Sequence, residues 1–161
     1  MNVDFINPVY KATTDVFKSF FALNIERGTL QVKDEPVFAK EANVAIKVSG
    51  DLEGFFLFSL TKDMALNIVF HMAGMRLEEI NEIVVSAVGE FANMISGHVL
   101  AEFEENNYTC DITTPDVSIG SKNKKFKHIY KTKTLVIPLK TELGEFDLNV
   151  ALGIARRQVA R

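Results

Sequence analysis

Residues 43–60, NVAIKVSGDLEGFFLFSL, decide the fold class of this chain. Over 43–49 apolar and polar side chains alternate, with Val44, Ile46 and Val48 on one face, which is the period of a half-buried strand. Gly50-Asp51 supplies turn chemistry, and Glu53 to Leu60 resumes as a second β-rich run, so the stretch predicts a hairpin. A hairpin with one apolar face needs a cover, and the flanking sequence offers helices on both sides.

Upstream, Asn7-Pro8 has the form of a helix start, a capping side chain followed by proline at the first helical position. Val9, Ala12, Val16, Phe20 and Leu23 then recur at helical spacing and predict an amphipathic helix to about Leu23. Arg27-Gly28 ends that region, and Asp34-Glu35-Pro36 reads as a turn. Downstream, Thr61 is placed to cap a short helix over Lys62 to Met72, closed by Gly74. A longer helix is predicted from about Leu77 to Glu104, followed by strand-like runs at 109–119, 128–139 and 143–154.

The order helix, two strands, two helices, three strands is an α+β pattern, with helices packed on an antiparallel or mixed sheet. Helix–strand–strand occurs twice if the helix pair stands in for the first helix, which suggests internal pseudo-symmetry. No linker or low-complexity tract interrupts the pattern, so residues 1–161 are expected to form a single domain. At 47% hydrophobic and 24% charged residues the composition is that of a globular protein able to fold without a metal or disulfide staple. A net charge of −3 gives no global attraction to nucleic acid or anionic lipid. The single cysteine, Cys110, suits a reducing cytoplasm, and it is expected to be a buried strand residue. The first ten residues lack the marks of a signal peptide, and the longest apolar run, Phe55 to Phe58, is too short to span a bilayer. A cytoplasmic protein without a membrane anchor is therefore expected.

The long helix carries the functional argument. On a wheel of about 100° per residue with Ser86 at zero, Glu79, Glu82, Glu90, Asn93 and Gly97 fall within roughly 40°. Val84, Val88, Phe91, Ile95 and Val99 lie roughly 140° to 220° away and must enter the core. Asn93 and Gly97 are poor helix formers, Gly97 by about 1 kcal/mol relative to alanine, so neither serves a merely solvated face. A glycine there removes bulk and admits close approach by another backbone or helix. No lysine or arginine lies between Glu78 and Glu105, so the carboxylates have no ion pair within the helix. Such a face suits a cationic group on a partner.

Ser86-Ala-Val-Gly-Glu90-Phe-Ala-Asn93, with Pro115 22 positions further on, resembles the signature of the CheC/CheX/FliY family of chemotaxis phosphatases. That signature is Asp or Ser, three residues, Glu, two residues, Asn, about 22 residues, Pro. The segment Thr114 to Gly120 resembles the family's stretch after the helix, and Phe5-Ile6-Asn7-Pro8 with Ala12-Thr13 resembles the start of the CheX branch. The first helix lacks the second Glu-x-x-Asn that CheC proteins generally carry, which points to the single-motif CheX-like branch and a CheC-like fold.

The resemblance implies hydrolysis of the aspartyl phosphate on a response-regulator (CheY-like) receiver domain. It also implies a homodimer joined through the sheets, with Mg²⁺ and the phosphoryl group both supplied by the partner and no cofactor of the chain's own. A glutamate and an amide three residues apart stand side by side on a helix and can enter one cleft. Asn93 is expected to orient the attacking water through a neutral carboxamide, and Glu90 to pair with the lysine that receivers keep beside the phosphate. Ser86 and Gly97 are expected to support the contact surface, and Pro115 to shape the loop beside the helix. The site should need no deep pocket. The alternative is a non-catalytic module that docks on a receiver or a flagellar-switch component with the same surface.

Other chemistries have weaker marks. His71, His98 and His128 lack ligand spacing, so no metal site is expected. The Gly-x-Ser-x-Gly motif, a Walker-type loop and a dinucleotide fingerprint are absent. Lys122, Lys124, Lys125, Lys127, Lys131 and Lys133 read either as a solvated hairpin loop or as a docking patch for an acidic surface. Only Phe126 and Tyr130 interleave with them, so nucleic acid is not the expected partner.

Overall fold

The computed structural model describes residues 3–120, 126 and 131–156. Within them, in chain order, stand α1 (Ile6–Val16), β1 (Glu26–Arg27), β2 (Gln31–Lys33), β3 (Ala42–Gly50), β4 (Leu52–Leu60), α2 (Lys62–Ala73) and α3 (Glu82–Glu105). They are followed by β5 (Cys110–Ile112), β6 (Asp116–Ile119), β7 (Thr134–Thr141) and β8 (Gly144–Ile154). The strands make one sheet in the order β1-β7-β8-β4-β3-β5, with β2 also on β7 and β6 also on β3. Every pairing is antiparallel. The order helix, two short strands, hairpin occurs twice, and each pair of short strands lies on the other half's hairpin.

The β3–β4 hairpin forms as its alternation predicts. Val44, Ile46 and Val48 join Phe56, Phe58 and Leu60 beneath the helices. Gly54 is required: its φ is +147°, and a Cβ there would lie 1.8 Å from the Ala151 carbonyl oxygen on the neighbouring β8. The opposite face is covered as well, which alternation alone does not reveal. Ala45, Phe55, Leu57 and Ala151 pack with Phe126 and the partly buried Phe38 in a smaller cluster. Asn149, buried on β8, accepts from the Val37 amide at 2.7 Å and donates to the Val37 and Leu57 carbonyls at 2.8 and 3.1 Å, fastening that covering segment to the sheet.

The helices agree with their sequence signals in part. Thr61 caps α2, accepting from the Met64 amide, and Gly74 closes it in the left-handed conformation. The first helix differs at both ends. A 3₁₀ turn at Val3–Phe5 leads into it, so Asn7 is already inside the helix and does not cap. At its far end the chain widens into a π turn over Phe17–Phe21, with the Ala22 amide bonded to the Phe17 carbonyl. The wider turn takes one residue more, so Phe21 falls on the core in place of Phe20, which is 57% exposed.

The long helix begins at Glu82, five residues later than the periodicity predicts, because the Asn81 side chain accepts from the amides of Ile83 and Val84 and sets the start there. It packs against α1, α2, β3, β5 and β6. Val84, Val88, Phe91, Ile95 and Val99 are all buried, as the wheel predicts. By length and composition alone α3 is apolar enough to cross a membrane, yet this face lies inside the core. Phe91 is its anchor, with its ring 5.9 Å from Phe17, 6.2 Å from Phe58 and 5.6 Å from Phe146, all edge-on. Replacing Phe91 by alanine is expected to lower the unfolding free energy by about 3–5 kcal/mol in urea denaturation.

Candidate active site

Turning Phe91 inward turns its neighbours outward. Ser86, Glu90, Asn93 and Gly97 are all exposed on the outer side of α3. Glu90 and Asn93, three positions apart, stand on adjacent turns with Cβ atoms roughly 5–6 Å apart. Among the described residues neither side chain has a hydrogen-bond or ion-pair partner. Two other carboxylates of the lysine- and arginine-free segment from Glu78 to Glu105 are less free than the sequence implies. Glu79 lies ahead of the helix and pairs with Lys62 at 3.0 Å, and Glu102 pairs with Lys11 of α1. These bonds come from distant parts of the chain, which a search for pairs along one helix does not see. Lys11 is held above its usual pKa chiefly by its hydrogen bond to Glu102.

Beside this face runs an open groove of about 530 Å³. From α3 it is lined by Val85, Ser86, Gly89, Glu90 and Asn93. The facing wall is Ile112, Thr113, Thr114, Pro115 and Val117. Thus Ser86, Glu90, Asn93 and Pro115 come together as expected, while Gly97 stands one turn beyond the groove, where a Cβ would meet nothing within 4 Å.

The facing wall has a local cause. The predicted strand 109–119 is split into β5 and β6, both on the outer edge of β3. Val48 faces Ile112 and Ala45 faces Asp116, so two residues of β3 are spanned by three, Thr113 to Pro115. One extra residue makes a β-bulge, and the edge tolerates it and Pro115, which has no N–H to give to the ladder. Thr113 fastens the bulge. Its amide donates to the Lys47 carbonyl and its hydroxyl accepts from the Lys47 amide, each at 3.0 Å. Thr113, Val117 and Gly89 were not singled out by sequence reasoning. The signal available for Thr113 was its place two residues before the proline.

The remaining candidates are dispersed. The His71 ring packs 5.0 Å from Phe21, and His98 Nδ1 bonds the Met94 carbonyl at 2.9 Å. Among the described residues no group of three or more histidine, cysteine or acidic side chains converges as metal ligands. Cys110 is half-buried rather than buried, because β5 lies at an edge. Lys131 and Lys133 are exposed; Lys122, Lys124, Lys125, Lys127, His128 and Tyr130 lie outside the described residues.

Residues 42–140 match the protein family Chemotaxis phosphatase CheX. The chain belongs to the CheX family. It is 31% identical over 108 residues to the CheY-P phosphatase CheX of Thermotoga maritima, covering 66% of this chain and 68% of that protein. Solved structures agree in fold across nearly the whole chain. A CheC-like superfamily protein from Shewanella sp. PV-4 superposes with a TM-score of 0.80 at 24% identity, covering 95% of this chain and 99% of that one. The CheX–CheY–BeF3–Mg²⁺ complex from Borrelia burgdorferi contains a chain that matches with a TM-score of 0.77 at 22% identity, covering 94% and 99%. The CheX family match includes α3 and the bulge.

The bulge offers a direct check of how the groove is held. Thr113→Val removes the hydroxyl that pairs with the Lys47 amide and is expected to cost about 1 kcal/mol of stability. Hydrogen exchange at the Lys47 amide should accelerate while that of the β4–β8 ladder changes only with global stability.

Proposed function

We propose that this protein hydrolyses the aspartyl phosphate of a CheY-like receiver domain, with Glu90 and Asn93 entering the receiver's active site from α3. The observation that carries the reading is that these two side chains stand together, exposed and without partners among the described residues, at the rim of an open groove. Membership of the CheX family and the relative from Thermotoga maritima, itself a CheY-P phosphatase, support the same substrate.

In the reaction a water oxygen attacks phosphorus in line, the bond from phosphorus to the aspartyl oxygen breaks, and inorganic phosphate leaves with the carboxylate restored. Catalysis of this step rests on positioning and charge stabilisation. The Asn93 carboxamide accepts from or donates to the water without bringing charge towards the phosphoryl oxygens. Glu90 would repel those oxygens at close range, and its role is an ion pair with a receiver lysine that fixes the docking angle. Ser86, one turn earlier on the rim, contributes to the contact, and Pro115 holds the facing wall. Gly97 leaves the helix surface bare where the receiver passes over it.

A single exposed carboxylate beside an amide is a poor set for Mg²⁺, which takes near-octahedral oxygen ligation. We therefore assign the metal to the receiver, where it neutralises phosphoryl charge; the Borrelia structure is of a CheX–CheY complex with BeF3 and Mg²⁺. The acting form is proposed to be a cytoplasmic homodimer, as the family resemblance implies.

The test follows dephosphorylation of CheY-like receivers from the same genome. Asn93→Ala is expected to slow the accelerated reaction by roughly 100-fold while binding is kept, since removal of a positioning group acts on the chemical step. Glu90→Ala should weaken binding and rate together, by about tenfold each. Full activity of Asn93→Ala would refute the assigned roles, and a wild-type protein that binds receivers without accelerating any would be a docking module.

A further inference from the structure

We infer that the groove beside α3 is a socket for one apolar side chain of the receiver, and that Gly89 keeps it open. The inference rests on the receiver reading and adds what the surface recognises besides charge. Glu90 and Asn93 occupy one rim and Thr113 and Thr114 add hydroxyls opposite, whereas Val85, Gly89, Pro115 and Val117 form the apolar part of the interior. A partner that reaches the rim residues must lie over this interior, and leaving it wet in the complex would forgo roughly 25 cal/mol for each Å² of apolar surface. The side chains of Val85, Pro115 and Val117 offer a charged occupant no hydrogen bond in exchange for its lost hydration, so this part of the lining favours an apolar side chain.

Gly89 supplies the second observation. It sits inside a 24-residue helix, where glycine is unfavourable relative to alanine, and it has no positive φ that would demand glycine. Nor does packing exclude a side chain. A Cβ at position 89 would lie 3.5 Å from Val117 Cγ2 and 3.9 Å from Pro115 Cβ, ordinary contacts with two groove-lining residues. The fold would accept alanine there; the groove would become shallower. Helix stability is thus given up at an α3 position whose side chain would enter the space between helix and bulge.

The experiment uses the full chain, a CheY-like receiver of the same genome held with beryllofluoride and Mg²⁺ for binding, and the phosphorylated receiver for turnover. Gly89→Ala should keep or raise the melting temperature and weaken binding about threefold; Gly89→Leu, whose side chain would occupy the groove, should weaken it about tenfold or more, chiefly through KM. Should Gly89→Leu fail to fold, Gly89→Ala decides. Folded variants that bind the receiver with wild-type affinity would overturn the socket, as would occupation of the groove by something other than the receiver, which predicts the same result. The two readings separate cleanly. Wild-type turnover with unaffected Gly89 variants removes the socket and leaves the phosphatase; absent turnover with weakened Gly89 variants removes the phosphatase and leaves the socket.

Discussion

The insertion of Phe91 into a cluster of aromatic rings fixes the rotation of α3, and the site follows from that rotation. Aliphatic contacts alone let a helix roll on a sheet at small cost, since one methyl is much like another. Aromatic rings packed edge-on are directional. Phe91 meets Phe17 from the first helix, Phe58 from β4 and Phe146 from β8, so three separate parts of the chain converge on one side chain. Successive helical residues are about 100° apart, which leaves Glu90 and Asn93 on the exposed side once Phe91 is seated. The π turn at Phe17–Phe21 belongs to the same constraint, because it brings both of its terminal rings to the cluster.

The second wall of the groove depends on a different kind of constraint, one of register. β5 and β6 share the edge of β3 but differ by one residue in alignment, and the surplus is absorbed at Thr113 to Pro115. An interior strand would not tolerate that surplus, because the ladder would lose bonds on both sides. An edge strand loses them on one side only, and Thr113 restores part of the loss with its hydroxyl. Helix rotation and strand register are therefore set independently and meet at the groove. The spacing from Asn93 to Pro115 in the chain is the length needed to finish α3, turn back, and reach the bulge.

What was legible in the sequence was whatever depends on one element at a time. The hairpin alternation, the Thr61 cap, the Gly74 stop and the buried stripe of α3 each need only near neighbours, and each matches. The misreadings share the opposite character. Phe20 and Phe21 exchange places because a π turn adds a residue, and periodicity counted at 3.6 cannot register it. Asn81 starts α3 through its own side chain, whereas the polar run before it has the same helical period and invites an earlier start. Glu79 and Glu102 lose their freedom to lysines on other helices. The short strands β1 and β2 have exposed residues throughout and are held by backbone pairing to β7, so hydrophobic pattern carries no trace of them.

These constraints also explain why the chemistry is placed where it is. An exposed carboxylate and amide without partners among the described residues make no bond there that folding must preserve, so the described fold does not depend on them. The converse holds for the core: Phe91 sets the direction of the site yet stays buried away from any partner. In the proposed mechanism a neutral amide attracts the phosphoryl group only weakly in the ground state and contributes by fixing water at the moment of attack. On that reading the partner brings the phosphoryl group and the metal, and this chain brings the amide and the carboxylate. For a site completed by another protein, an open groove is then the suitable form: an enclosed pocket would bind fragments tightly but could not admit a folded domain.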